Sequence, residues 1–155
     1  MAGVLHGVRV EWPEWVREVM AEGRWSISPA ELWIELVLTR ITKNVAASAG
    51  PSFQPEVFLT DFTDNESARA AANKGDSSKQ TMGVIAREMA RDTSRGMVVR
   101  TFRVTTKENA AADAMSRTGG ERAGAELAQR LGVPYVEHAI TEADPAWSLI
   151  PRPSL

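Results

Sequence analysis

Val57-Phe58-Leu59-Thr60-Asp61-Phe62-Thr63-Asp64-Asn65 is the stretch on which the fold turns. Five of its first seven residues are β-branched or aromatic, and they form the clearest strand of the chain. That strand runs into two short polar residues, Asp64 and Asn65. Alanine-rich helical sequence follows from Glu66 to Lys74, with Gly75 placed as a C-terminal cap. A strand, a polar turn and a helix in direct succession are a building unit of layered α/β architecture.

Toward the C-terminus the same alternation continues. Ser77 or Ser78 can cap a further helix, expected to end near Ser94-Arg95 with Gly96 behind it. Met97 to Val104 reads as a second clear strand. Asn109 opens a short helix through Arg117, Gly119-Gly120 breaks it, and a last helix runs from about Glu121 to Leu131 with Gly132 as its cap. Prolines recur from Pro134 onward, and 145–155 reads as an exposed tail.

Toward the N-terminus, Ser28-Pro29-Ala30-Glu31 has the form of a capping box with proline in the first turn. The helix it opens extends to about Thr42. Leu32, Trp33, Leu36, Val37, Leu38 and Ile41 make it apolar over a wide arc, so burial on more than one side is expected. Residues 44–55 read as a loop. Upstream, Val4 to Val10 is a weak strand, Pro13 opens a short amphipathic helix ending at Gly23, and Trp25 to Ile27 reads as the end of an extended piece. The expected organisation is a partial strand and helix region over 1–27, an α/β core over 28–132, and a C-terminal extension or tail over 133–155.

Composition narrows the function classes. With 155 residues the chain is of single-domain size, and 43% hydrophobic with 25% charged residues excludes the disordered and collagen-like classes. The chain has no cysteine, so disulfides, thiolate metal sites and cysteine nucleophiles are excluded. His6 and His138 are far apart in sequence and read as ordinary residues rather than ligands. No apolar run reaches the ~20 residues of a membrane span, and 1–10 lacks the apolar core of a secretory signal. An intracellular location, cytoplasmic or nuclear, and no membrane partner are therefore expected. The net charge of −2 hides an asymmetry: 69–107 holds nine cations and three anions, a net +6.

Three acids stand in an informative order: Glu31 at a helix start, Asp64 at a strand end, and Asp113 within Glu108-Asn109-Ala110-Ala111-Ala112-Asp113-Ala114-Met115-Ser116-Arg117. From about Ile27 to Arg117 the chain resembles the ribonuclease H-like domain of retroelement reverse transcriptases. In that family a helix glutamate, a strand-end aspartate and an aspartate in an Asn-x-x-Ala-Asp-x-Leu-Ser-Arg context hold metal ions. Met115 stands where leucine is usual. The resemblance implies an α/β fold with a mixed sheet flanked by helices. It also implies Glu31, Asp64 and Asp113 as catalytic metal ligands, two Mg2+ or Mn2+ ions, and hydrolysis of RNA in RNA–DNA hybrids. Such chemistry needs clustered hard oxygen ligands around ions ~3.5–4 Å apart. Glu35, one turn beyond Glu31, is the rival on the same helix face. Asp61 lies an odd number of residues from Asp64 along the strand, so only one can face the site, and the motif selects Asp64. The family pattern has one more aspartate on an earlier strand. No aspartate precedes Asp61 here, so the first strand region is expected to be missing or incomplete.

Each acid also has a structural explanation. Glu31 fits a capping box, Asp64 could cap the following helix, and the first-turn position of Asp113 suits a helix dipole. Two alternatives follow: a nucleic-acid-binding remnant that no longer cleaves, and a plain α/β domain whose acids are caps. Arg87, Arg91 and Arg95 recur every four residues opposite Met82, Ile85, Ala86 and Met89. They are the candidate nucleic-acid contacts, unless Glu88 and Asp92 simply pair with them on a solvated face. The five tryptophans offer stacking surfaces for bases, but at helical spacing among apolar residues they fit a core better.

Overall fold

The computed structural model describes residues 3–48, 57–93, 97–105, 107–115, 117 and 120–150. Its elements are β1 (Leu5–Val10), α1 (Glu14–Ala21), α2 (Ile27–Ser48), β2 (Val57–Thr63), α3 (Glu66–Lys74), α4 (Gln80–Thr93), β3 (Met97–Arg103), α5 (Ala110–Met115), α6 (Gly120–Leu131) and β4 (Tyr135–Ile140), with a 3-10 turn over Pro145–Leu149. The class is α/β, as the alternation implies. Three of the expected caps, Gly23, Gly75 and Gly132, adopt positive φ. At Gly75 the left-handed turn (φ 71°) lets its N–H reach the Ala71 and Ala72 carbonyls and close α3. The fourth, Gly96, lies outside the described residues.

The described strands form two parallel pairs rather than the single mixed sheet expected. β2 lies beside β3, with Val57 opposite Met97 and Thr63 opposite Arg103. β1 lies beside β4, with Leu5 opposite Tyr135 and Val10 opposite Ile140. Parallel strands need a crossover, which α3 and α4 supply between β2 and β3. The outer edge of β3 is covered by one side chain. Asn73 of α3 donates from Nδ2 to the Thr101 carbonyl (2.8 Å) and accepts from the Thr101 N–H (3.1 Å), which blocks further pairing there.

α2 packs against α3 and α4, and together with α1 these helices build the core. Val16, Leu32, Trp33, Leu36, Ile85 and Ala86 are fully buried. The α4 residues Met82, Ile85, Ala86 and Met89 are the apolar stripe expected from spacing, and all four are buried. Trp33 stacks face to face on Trp147 (centroids 3.9 Å apart, planes 13°), and the edge of Trp12 meets Trp147. The tryptophans are thus mainly core: Trp25, Trp33 and Trp147 are buried, while Trp12 and Trp15 are partly buried against the same cluster.

Three expectations need correction. The C-terminal extension carries β4, and the stretch 145–150 is not simply an exposed tail, since Trp147 and Ile150 are 6% and 3% exposed. Apolar burial outweighed the proline signal, which marks boundaries but does not prevent docking. Trp25 to Ile27 is not extended, because the Trp25 N–H bonds the Val19 carbonyl (3.1 Å) and α2 begins at Ile27. α2 also continues past Thr42 to Ser48. The Thr42 and Ser48 hydroxyls donate to carbonyls four residues back, both at 2.8 Å, so polar residues that suggested a loop are accommodated in the helix.

Candidate functional site

The site is built where the end of β2 meets the first turn of α2, and Asn65 is its joint. The Asn65 backbone is extended (φ −90°, ψ 106°), and its Oδ1 accepts the Ala68 N–H at 3.0 Å, which makes it the N-cap of α3. The capping role open to Asp64 therefore belongs to its neighbour. The other end of the same amide reaches α2, with Nδ2 donating to Ser28 Oγ (3.0 Å) and to Glu31 Oε2. One side chain thus finishes one helix and fastens another. Below it, the Thr63 hydroxyl accepts the Asn65 N–H (3.2 Å), and the Val104 N–H bonds the Thr63 carbonyl (3.0 Å), extending the β2–β3 ladder to the site.

Glu31 is consequently not the acid of a local capping box. α2 starts one residue before Ser28, and the Glu31 hydrogen bond goes to Asn65, 34 residues away. Burial pushes the Glu31 carboxyl above its ordinary range. The hydrogen bond from Asn65 pulls it down, and the charge of Asp64 pushes it up again. The charge of Asp64 thus reaches Glu31, 33 positions away in sequence, as the smallest of the three influences. Glu35, the rival candidate, lies one turn along α2 and is 5% exposed.

Asp113 has a different setting. It lies in the first turn of α5, as expected, and Arg117 clasps its carboxylate from one turn away (2.8 Å). α5 packs on α6, which rests on β1 and β4, the other strand pair. The helix entry is fixed by a box the sequence reading did not assign. Thr105 donates its N–H and hydroxyl to Glu108 Oε2, both at 2.8 Å. Those bonds hold the Glu108 carboxyl below its usual range. Among the described residues, no group of three or more histidine, aspartate or glutamate side chains is placed to hold a metal ion. The structure brings Glu31 and Asp64 together and leaves Asp113 out of their group.

Arg87 and Arg91 are exposed on α4, but each has an acidic partner: Asp76 at 2.7 Å for Arg87 and Glu88 for Arg91. Asp92, the other expected local partner, instead binds Arg40 of α2 at 2.6 Å and joins the two helices. Arg95 lies outside the described residues.

Sequence reasoning missed Asn65 and Ser28 as the residues that hold Glu31. The Asn-x-x-Ala spacing after a strand could have identified the cap, but nothing local signals the bond to α2. It also missed that His6 and His138 meet.

No family model matches this chain, and comparison with curated proteins and with solved structures finds no match either.

The donor chemistry can be set against a hard divalent cation. Mg2+ is commonly held by one or two carboxylates, with water and substrate phosphate oxygens completing its shell. Glu31 and Asp64 are two such carboxylates, and a cation would offset the burial and, to a lesser degree, the Asp64 charge that raise Glu31. Two carboxylates match in number and type what one such ion commonly takes from a protein. A second ion would need Asp113 or another acid to join the pair.

Proposed function

We propose that this chain is a retroelement-derived ribonuclease H-like domain that hydrolyses the RNA strand of RNA–DNA hybrids with divalent metal ions, working inside the cell where such hybrids form. The observation that carries this reading is the convergence of Glu31 and Asp64 through Asn65. Those two acids come from the helix start and strand end at which the sequence resemblance puts metal ligands. The parallel β2–β3 pair and the α3–α4 crossover are compatible with part of a ribonuclease H-like sheet. On this reading Glu31 and Asp64 hold Mg2+ or Mn2+, and Asn65 fixes the Glu31 carboxylate in place. A metal held by these carboxylates would supply a more acidic bound water and charge neutralisation at the departing 3′-oxygen. Asp113 would complete a two-ion site after releasing Arg117, Arg87 and Arg91 would exchange their acidic partners for phosphates, and Arg95 would add a further phosphate contact.

A second reading, a hybrid-binding remnant without turnover, is favoured by the position of Asp113 beside Arg117 and outside the other acids. One experiment separates the two. Hybrid cleavage is measured with Mg2+ or Mn2+ for the native chain, Asp64→Asn and Asp113→Asn, alongside hybrid binding at rising salt. The nuclease reading expects metal-dependent cleavage that both substitutions abolish. Binding that weakens with salt, without cleavage, selects the remnant. Cleavage indifferent to both substitutions removes the site assignment. Affinity constant up to about 0.2 M salt removes the nucleic-acid partner.

A further inference from the structure

The β1–β4 sheet contains a cluster of potential metal ligands that the carboxylate site does not use. In the parallel register His6 lies opposite Val136 and His138 opposite Val8, so the two histidines are diagonal neighbours on one sheet face. His6 Nδ1 and His138 Nε2 approach to 3.0 Å, with ring centroids 5.2 Å apart and ring planes 31° from each other. Both side chains are partly buried, so water and small ions can still reach them.

Two imidazole nitrogens this close must share one proton, one ring donating and the other accepting. That arrangement is close to the one a chelate requires. With Zn–N bonds of 2.0–2.1 Å and tetrahedral angles, two nitrogens on one ion stand about 3.3 Å apart. From a separation of 3.0 Å the nitrogens must part by about 0.3 Å, and each lone pair must swing about 35° off the line joining them, to meet at a common ion. Neutral imidazole suits borderline-soft divalent ions such as zinc better than magnesium. No third histidine or carboxylate joins the pair among the described residues, so water would complete the shell.

We propose that His6 and His138 form a two-histidine site for a borderline-soft divalent cation of the zinc class, distinct from the Glu31–Asp64 pair. The ion replaces the shared proton and joins β1 to β4, strands whose histidines lie 132 positions apart. A cation that binds only the folded chain shifts the folding equilibrium toward it. The site therefore acts as a clamp between the two ends of the described fold.

The test uses Zn2+ alone with the chelator-stripped full chain. Calorimetry is expected to show one ion bound per chain, with affinity falling at least tenfold in both His6→Gln and His138→Gln. Asp64→Asn should bind as the native chain does. Zn2+ should also raise the thermal midpoint of the native chain and leave that of either histidine variant unchanged. The chain has only two histidines, so NMR of the native protein gives a readout that needs no folded variant: both ring resonances should move together on adding one equivalent. Ring resonances that do not respond to Zn2+ overturn the proposal. So does an affinity that Asp64→Asn lowers and His6→Gln leaves intact.

Discussion

The two strand pairs are alike in size and direction, yet their surroundings differ. β1–β4 is tied into the tryptophan core. Val8, Val10 and Ile140 meet the tryptophan cluster on one side, and on the other the Tyr135 ring lies between Gly7 and Gly124. β2–β3 is covered by α3 and α4 on one face, where Thr63 and Thr101 are buried. On the other face Phe62 and Phe102 stand 56% and 50% exposed. Parallel sheets are ordinarily buried on both faces, so the second pair is the unusual one. It is also the pair whose end carries Asp64. The first sheet, built from the two ends of the described chain, is tied into the tryptophan core, while the second leaves an aromatic face accessible and carries Asp64 at its end.

The largest expected effect tests the side tied into the tryptophan core. Trp147→Ala should cost about 3–5 kcal/mol, because it removes a buried ring stacked on Trp33 and leaves a cavity in the core. Phe62→Thr, on the exposed face, should cost under about 1 kcal/mol, mainly the loss of its contact with Phe102. Urea unfolding of both variants checks the contrast. Equal costs would mean that β2–β3 is as closely packed as β1–β4.

Gly124→Ala comes next. Alanine favours a helix over glycine by about 1 kcal/mol, so an open site would gain stability. Here a Cβ would lie 2.6 Å from the Tyr135 hydroxyl and 2.7 Å from its ring carbon, and Gly7 closes the opposite side, so the ring has no room to retreat. Overpacking should win, with a net loss of about 1–2 kcal/mol. A rise in the thermal midpoint would show that Tyr135 is not confined.

Asn65→Ala probes the site directly. It removes an N-cap, about 1 kcal/mol, and the hydrogen bond to the Glu31 carboxylate. A total near 2 kcal/mol is expected from denaturant midpoints. Asn65→Asp should keep the cap but place a third acid beside Glu31 and Asp64. It should therefore be less stable than the native chain without added divalent cation, and recover when Mg2+ is present.

The same contrast separates what sequence could and could not reveal. Periodicity and turn chemistry are local, and they located α3 from Glu66 to Lys74, the buried stripe of α4, β2, and the glycine caps at Gly75 and Gly132. What failed depends on partners distant in the chain. The pairing of β1 with β4, the docking of Trp147 on Trp33 and the His6–His138 contact join segments more than a hundred residues apart, with no local pattern to announce them. The site was legible to the same extent. The order of Glu31 and Asp64 singled them out as candidates, but the Ser28-to-Glu31 spacing imitated a capping box whose acid in fact serves a tertiary bond. The box that does form, Thr105 with Glu108, was hidden inside the motif around Asp113.

The smallest effect is the most specific to the Glu31–Asp64 pair. Burial, the largest influence on Glu31, and the neighbouring Asp64 hold its folded carboxyl above the ordinary value of 4.5, although the Asn65 bond partly offsets this. For a group raised on folding, the stabilising contribution is fully present below the unfolded value and is lost as pH rises through the folded one. The native chain therefore carries the cost of a charged Glu31 at neutral pH. Glu31→Gln removes that cost, so the variant should be the more stable above the raised value, and the two should converge as pH falls below 4.5. Mg2+ at neutral pH should narrow the gap by stabilising the native chain alone, since only it offers both carboxylates. Thermal midpoints across the pH range, with and without Mg2+, measure this. A gap that widens toward acid would reverse the sign and place Glu31 among the residues that stabilise the fold as charged groups. A gap of the right sign that ignores Mg2+ would keep the electrostatic coupling to Asp64 and remove the metal from it.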